Sequence, residues 1–101
     1  MATVVVNYKK TSDYDVSIMR PSLYQNPYHI GKDGTREEVI KKHWDYLISN
    51  HKLLKSLRFL KDKRLGCCCA PLQCHGNNYV KILDTPGLYE EILRILEQSN
   101  T

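Results

Sequence analysis

The segment 64–76 constrains the fold most strongly, because it predicts a strand that passes directly into a helix. Residues 65–69 are apolar or small, which is typical of a short buried strand. Pro71 ends that strand, and a helix is predicted to begin near Cys74 and His75. Open α/β sheets bind ligands where strands end and helices begin, so this junction is also the first place to expect a site.

The order of the other segments predicts the fold class. Residues 3–8 are rich in β-branched side chains and residues 14–18 alternate in polarity, so both are predicted strands. A loop and helices separate them from the strand at 64–69, and two more helices follow it. This order predicts an α/β fold for the whole chain, 1–101: a small single-domain sandwich with a short mixed or parallel sheet, packed with helices, and at least one parallel crossover.

Two capping patterns predict where helices begin. Thr35 and Glu38 fit a capping box, in which each side chain accepts a backbone N–H group at the helix start. Asn50 is predicted to cap a second helical segment. Helical spacing places these side chains on inward faces: Ile40, Trp44, Leu47, Ile48, Leu53, Leu54, Leu57, Leu88, Ile92, Ile95 and Leu96.

Composition excludes several classes of protein. The 101 residues carry a formal net charge of +4 and are 42% hydrophobic, as in ordinary globular domains. The longest apolar run, residues 4–6, is far too short to span a membrane, and no secretory signal is expected. Basic residues are densest at 52–64, where interleaved leucines favour a solvated helix face. No nucleic-acid-binding module is recognisable, so we expect neither a membrane nor a nucleic acid as partner.

All four cysteines lie between Cys67 and Cys74, which indicates a reducing compartment. A secreted disulfide scaffold spreads its cysteines along the chain, because its bridges join distant segments. Neighbouring cysteines in a strand point to opposite faces and do not pair easily. We therefore expect a cytoplasmic protein with free thiols.

Six polar residues form the candidate ligand-binding set: Arg20, Asn26, Thr35, Arg36, Cys74 and His75. Arginine binds phosphate or carboxylate bidentately, and Arg36 lies in a first helical turn, where acidic residues are the usual choice. Asn26 is held extended by Pro27 and offers a donor and an acceptor. The loop 20–34 is long for a simple connection, and such loops are often functional.

The predicted helix start at Cys74 and His75 adds further chemistry. The field of a helix N-terminus lowers the pKa of a thiol, and its unpaired N–H groups receive anions. His75 is a candidate proton carrier near neutral pH. The segment 31–35 is a candidate nest of backbone N–H groups before the first helix. The remaining histidines are expected to be solvated: His29, His43 and His51.

Other site chemistries fit the sequence less well. Cys67, Cys69, Cys74 and His75 are four thiol or imidazole groups, the number of ligands that zinc prefers. However, the adjacent Cys74 and His75 would be strained in binding one ion, so no metal or cofactor is expected. A thiol loop of the tyrosine-phosphatase kind needs an arginine six positions after its cysteine, where this chain has Val80.

Four segments together form an ordered set of motifs: Met19-Arg20-Pro21-Ser22, Asn26-Pro27-Tyr28, the run Ile30-Gly31-Lys32-Asp33-Gly34-Thr35-Arg36, and Leu65 to Gly76. They resemble domain-of-unknown-function family 4326, a family of small bacterial and phage proteins whose pattern is I-G-R-P-S, G-N-P-F, I-G-x-D-G-T-R and L-G-C-W-C-A-P-x-x-C-H-G. The resemblance covers about residues 14–83, in the same order and at similar spacing. Four positions depart from the pattern: Met19, Gln25, Tyr28 and Cys68.

The resemblance implies no established reaction, but proteins of this kind are similar to compact nucleotide-binding folds. We therefore expect a domain that binds an anionic small molecule, above all a nucleotide or a nucleotide-derived signal. In a phage-encoded member, sequestration of a host immune signal is a specific version of this hypothesis. A chain of this size has few residues with which to enclose a ligand. We therefore expect a homo-oligomer with its ligand near a subunit boundary.

Three alternatives stay open. The first is an enzyme that cleaves a nucleotide or glycosidic bond through Cys74 or His75, with Asp33 as acid or base; no complete catalytic set is visible, which favours binding. The second is a structural zinc module. The third is a protein-interaction module that uses the helix at 88–96, although a core role is the favoured interpretation of that helix.

Overall fold

The computed structural model describes residues 2–19, 22–70 and 72–99 and has the α/β architecture expected from the sequence. The sheet has three strands: β1 (Val4–Asn7), β2 (Val16–Ser17) and β3 (Arg64–Cys67). The helices are α1 (Arg36–Ser49), α2 (His51–Ser56, continued by a 3₁₀ turn at Leu57–Leu60), α3 (Gly76–Asp84) and α4 (Leu88–Ser99). In the described ranges no helix is long and apolar enough to cross a membrane.

β3 lies in the middle of the sheet and is parallel to both neighbours, in the order β1-β3-β2. Leu65 is opposite Val5 of β1 on one side and Val16 of β2 on the other. The predicted parallel crossover is therefore confirmed. Because all three strands run the same way, their carboxyl ends meet at one edge of the sheet.

β2 is shorter than the strand predicted at 14–18, although the Asp15 N–H still donates to the Arg64 carbonyl at 2.9 Å and the Ile18 N–H to the Gly66 carbonyl at 3.0 Å. The ring of Tyr14 covers Gly66, where a β-carbon would lie 2.9 Å from Cδ2 of the ring. The carboxylate of Asp15 accepts the backbone N–H of Arg64 at 2.8 Å and its guanidinium N–H at 3.0 Å. These hydrogen bonds lower the pKa of Asp15 to about 2.

The predicted helix caps are confirmed. The Thr35 hydroxyl accepts the Glu38 N–H at 3.2 Å, and Oε1 of Glu38 accepts the Thr35 N–H at 2.9 Å. The side chain of Asn50 accepts the N–H of Leu53 at 3.1 Å and so caps α2. These contacts fix where α1 and α2 begin.

The inward face of α1 differs from the predicted one. Val39, His43 and Leu47 are buried on it, so the expectation that His43 is solvated is wrong. His43 lies one turn from each of these two apolar residues, which places its ring in the core. His29 and His51 are half-buried rather than fully solvated. Three residues of α1 that were predicted to face the core are only half-buried: Ile40, Trp44 and Ile48.

α3 begins at Gly76, slightly later than predicted, and packs tightly against the sheet. A β-carbon on Gly76 would lie 2.7 Å from Cδ1 of Ile18 and 2.9 Å from Cγ2 of Val5. Only glycine permits this approach between the first turn of the helix and the strands.

α4 packs against the core through the side chains of Tyr89, Ile92, Leu93 and Leu96. The favoured core role of this helix is therefore confirmed. Ile95, which was predicted to face inward, is instead 51% exposed. The Tyr89 hydroxyl donates to the backbone oxygen of Leu54 and so fastens α4 to α2.

Candidate functional site

A pocket of about 470 Å³ opens at the carboxyl ends of the three strands. It is lined by Tyr8 just after β1, Met19 just beyond β2 and Cys68 directly after β3. The first turn of α1 contributes Arg36, and the residue before α3 contributes His75. The pocket therefore occupies the edge at which open parallel sheets bind ligands.

Four of the six candidate residues line this pocket: Asn26, Arg36, Cys74 and His75. Thr35 does not line it, because its hydroxyl is engaged in the capping box of α1. Arg20 lies outside the described residues. The sequence prediction missed five other polar or aromatic residues of the lining: Tyr8, Gln25, Tyr28, His29 and Gln73.

Arg36 provides the positive charge of the pocket. Its Nη1 atom donates to the backbone oxygen of Gln73 at 2.9 Å, which holds the start of α1 against the segment before α3. This contact uses one of the five N–H donors of the guanidinium. Within the described part of the chain, no aspartate or glutamate lines the pocket.

Asn26 and Tyr28 are positioned by contacts with α1. Oδ1 of Asn26 accepts the Tyr28 N–H at 3.0 Å, and its Nδ2 atom lies 3.5 Å from the backbone oxygen of Val39. The Tyr28 ring meets the Tyr46 ring edge-on, with the two centroids 6.4 Å apart. The loop therefore presents a fixed aromatic wall to the pocket.

Backbone N–H groups at the start of α3 are already paired, contrary to the expectation that they would receive an anion. The Cys74 N–H donates to Oδ1 of Asn77 at 2.9 Å, and the Gly76 N–H donates to Sγ of Cys74 at 3.3 Å. The Asn77 N–H donates to the Cys74 carbonyl at 3.0 Å. Arg36 is therefore the candidate hydrogen-bond donor for an anion in this pocket.

The ring of His75 joins α3 to the chain that follows β2. Its Nε2 atom lies 2.9 Å from the carbonyl oxygen of Ile18 and 3.0 Å from that of Tyr24. Carbonyl oxygens only accept hydrogen bonds, so Nε2 carries the hydrogen. Burial lowers the pKa of His75, which keeps the ring neutral near pH 7.

Behind the pocket, a buried polar chain that the sequence prediction missed links α1 to α3. Nδ2 of Asn78 donates to the Ile40 carbonyl at 3.0 Å and to Nδ1 of His43 at 3.0 Å. Nε2 of His43 therefore carries the hydrogen and donates to the Tyr79 hydroxyl at 3.1 Å. The Tyr79 hydroxyl in turn donates to the carbonyl of Tyr24 at 2.7 Å.

Burial keeps both rings of this chain uncharged. It lowers the pKa of His43 to about 3, with a smaller contribution from the neighbouring His75, and it raises the pKa of Tyr79. The described residues leave no buried side-chain nitrogen or oxygen atom without a partner.

Cys67 and Cys74 bring their sulfur atoms to 3.3 Å from each other. Sγ of Cys67 also accepts the Cys69 N–H at 3.3 Å. The hydrogen bond shared with Cys74, together with the backbone contact, lowers the pKa of Cys67. The pKa of Cys74 is raised instead, because it shares its proton with Cys67 and is buried. The expectation that the helix terminus lowers the pKa of Cys74 is therefore wrong.

The four candidate zinc ligands do not converge on one point. Among the residues that the structure describes, no group of three or more His, Cys, Asp or Glu side chains is arranged to hold a metal ion. Nε2 of His75 faces carbonyl oxygens, and the sulfurs of Cys67 and Cys74 contact each other.

Residues 5–85 match the family described as "Domain of unknown function (DUF4326)". A curated protein of Enterobacteria phage T4, described as "Uncharacterized 12.4 kDa protein in nrdA-td intergenic region", is 38% identical over 89 residues. That alignment covers 83% of this chain and 79% of the phage protein. No solved structure matches the chain. The family match runs from the second residue of β1 to the end of α3 and so covers β2, β3 and most of β1. By this match, and by the order of its motifs, the chain belongs to the DUF4326 family.

Proposed function

We propose that the pocket binds an anionic small molecule with a planar ring, and that its ligand class is a nucleotide or a nucleotide-derived signal. The observation that carries this proposal is the presence of Arg36, Tyr8 and Tyr28 in one pocket at the ends of three parallel strands. The volume of about 470 Å³ is that of a small-molecule site.

The charges around the pocket favour an anion. Arg36 lines it without any aspartate or glutamate among the described lining residues. The planar guanidinium fits phosphate oxygens in pairs, which a lysine cannot match. Its contact with the Gln73 carbonyl holds the arginine in place before a ligand arrives.

The uncharged walls favour a heteroaromatic ring. Tyr8 is 41% exposed at the rim, and Tyr28 is held in place by Tyr46. Bases stack on aromatic side chains with little dependence on base identity. The amides of Gln25 and Gln73 line the same space and offer donors and acceptors to a base edge.

The arrangement favours binding over bond cleavage. Nε2 of His75 is engaged by two carbonyl oxygens, and the raised pKa of Cys74 keeps its thiol protonated. Asp33, the candidate acid or base, does not line the pocket, and its carboxylate accepts the His29 N–H at 2.7 Å. None of these groups is poised to react with a bound ligand.

The phage T4 relative suggests a biological setting. In such a setting, we propose that the present chain, as a small binder without turnover, sequesters a nucleotide-derived immune signal of the host. The four free cysteines fit a reducing cytoplasm.

One chain forms the pocket, but Tyr8 and Ile30 are exposed at its rim, where a second copy of a homo-oligomer would cover the ligand. Light scattering with and without ligand measures this assembly.

Titration calorimetry tests the binding proposal. The panel is adenosine and guanosine mono- and triphosphates, cyclic mononucleotides and cyclic oligonucleotides. We expect at least one to bind and Arg36→Gln to weaken that binding by about tenfold or more, since a charged hydrogen bond contributes about 1.5–3 kcal/mol. Arg36→Lys should retain part of the affinity. Arg94→Gln removes the same charge from the exposed face of α4 and should leave the affinity unchanged.

Two outcomes would overturn the proposal. One is the absence of binding by every member of the panel, and the other is an equal loss of affinity in Arg36→Gln and Arg94→Gln. Mass spectrometry of the ligand recovered from the denatured complex separates binding from cleavage. An unchanged mass supports binding, and new products support the enzyme alternative.

A further inference from the structure

Two cysteines lie in sulfur–sulfur contact beside the pocket. The Sγ atoms of Cys67 and Cys74 are 3.3 Å apart, and both residues line the pocket although neither is more than 5% exposed. A disulfide bond is about 2.05 Å long, so the sulfurs need to approach by roughly 1 Å. Ligand binding as proposed above requires neither sulfur to react.

We propose that Cys67 and Cys74 form a dithiol site that reduces a small hydroperoxide and closes into an intramolecular disulfide. Both cysteines belong to the lining of the pocket, whose opening at the edge of the sheet gives the oxidant its path towards them. A hydroperoxide with few heavy atoms fits a space of about 470 Å³.

The surroundings of the two sulfurs divide the roles between them. The Cys69 N–H donates to Sγ of Cys67 and the Gly76 N–H donates to Sγ of Cys74, each at 3.3 Å, and the hydrogen bond shared by the two sulfurs lowers the pKa of Cys67. The thiolate is the form that attacks peroxides. Cys74 keeps its proton because its pKa is raised. Cys67 is thus the attacking residue and Cys74 the resolving one.

The reaction has two steps. The Cys67 thiolate attacks one peroxide oxygen, the O–O bond breaks, and the departing oxygen takes a proton from solvent to leave as an alcohol or water. Cys67 is then a sulfenic acid. Sγ of Cys74 attacks the Cys67 sulfur, so that the S–S bond forms, the S–O bond breaks, and hydroxide leaves as water with the Cys74 proton. Two thiols have given two electrons to the peroxide.

The other two cysteines are less suited to this reaction. Cys68 is half-buried, and its pKa is raised by burial and by the neighbouring thiols. Cys69 is half-buried and supplies the N–H group that Cys67 accepts. Both can therefore be replaced while the Cys67–Cys74 pair is kept.

The double variant Cys68→Ala/Cys69→Ala is the direct test, because the chain has 4 cysteines and this variant keeps only the pair. Circular dichroism first establishes that it folds. After hydrogen peroxide treatment we expect the intact mass to fall by two hydrogen atoms, the free thiols to disappear, and dithiothreitol to restore both. Adding Cys74→Ala in this background leaves Cys67 alone, and we expect a sulfenic acid trapped by dimedone.

An increase in mass by oxygen without loss of hydrogen in the double variant would contradict the proposal. A disulfide-linked dimer as the main product would also contradict it. So would a folded double variant that does not react with hydrogen peroxide under conditions in which the unfolded protein does. If the double variant fails to fold, oxidised wild-type protein is cleaved by chymotrypsin after Leu72. A bond from Cys74 to Cys67 is then expected in the fragment spectrum, and a bond to Cys68 or Cys69 would refute it. No nucleotide enters these assays, so their outcome is independent of the ligand proposal.

Discussion

The Nε2 atom of His43 lies 3.1 Å from the hydroxyl oxygen of Tyr79, between α1 and α3. His43 can accept from Asn78 and donate to Tyr79 only when its ring is neutral, because a protonated ring has two donors and no acceptor. The fold therefore requires an uncharged histidine at this position, and its stability depends on pH.

The free energy of unfolding should fall as the pH drops below 6.5. The pKa of His43 is about 3 in the fold and 6.5 when unperturbed, so in this window the unfolded chain binds more protons. The free energy of unfolding keeps its full value with respect to His43 above pH 6.5. Between pH 6.5 and pH 3 it falls by up to about 1.4 kcal/mol per pH unit. His75, whose pKa is also lowered, acts in the same direction. Urea unfolding at pH 7.0, 6.0 and 5.0 measures the slope.

Replacement of His43 isolates its share of this slope. His43→Gln should reduce the pH dependence between 6.5 and 4.5, whereas Thr85→Ala, which replaces an exposed side chain that does not titrate in this range, should leave it unchanged. The carboxylates with lowered pKa values contribute mainly below that window: Asp15, Glu38 and Asp84. An unaltered slope in His43→Gln would show that His43 is not held neutral.

Tyr79→Phe should lower the free energy of unfolding by about 1–3 kcal/mol, because it leaves the His43 N–H without an acceptor in the core. The ring itself stays in place, so the loss comes from the hydroxyl. Tyr14→Phe is the matched control, since it keeps the ring that covers Gly66 and should change stability by less than about 0.5 kcal/mol. Equal losses in the two variants would argue against the buried chain of hydrogen bonds.

Gly76→Ala should destabilise the fold by about 1–3 kcal/mol, because the new methyl group would overlap Cδ1 of Ile18. Ile18→Val removes that carbon and alone costs about 0.5–1.5 kcal/mol. The double variant should lose less free energy of unfolding than the sum of the losses in the two single variants. A double-mutant cycle of unfolding free energies measures this difference. Strict additivity would place the strain elsewhere.

Thr35→Ala should reduce the free energy of unfolding by about 1 kcal/mol through loss of the capping box. Thr85→Ala, an exposed replacement after α3, serves as its control and should have a smaller effect. Because Thr35 does not line the pocket, ligand affinity per folded molecule should remain the same. A tenfold loss of affinity in Thr35→Ala would return this threonine to the binding set.

Sequence patterns predicted the features that depend on a few neighbouring residues. The Thr35–Glu38 capping box and the Asn50 cap are formed within four residues, and β1 and β3 follow from local composition. Burial of His43 depends on partners 35 and 36 residues away, which no local pattern reveals.

The position of the pocket was predictable from the sequence, but its lining residues were predictable only in part. A strand-to-helix junction in a parallel sheet indicates where ligands bind, which placed Cys74 and His75 correctly at the pocket. Tyr8 was missed, although its position directly after a strand parallel to β3 was a usable signal. The pairing of N–H groups by Cys74 and Asn77 depends on side-chain geometry, which the sequence does not specify.

The central place of β3 determines when the sheet can form during synthesis. Val5 and Val16 both pair with Leu65, some 60 and 49 positions later in the chain. At about 5–20 residues per second, the first strand leaves the ribosome roughly 3–12 s before its partner does. Until then both outer strands of the described sheet are unpaired, so a nascent chain shorter than this carries strand edges that chaperones or other chains can bind, and the domain gains its sheet in one late step.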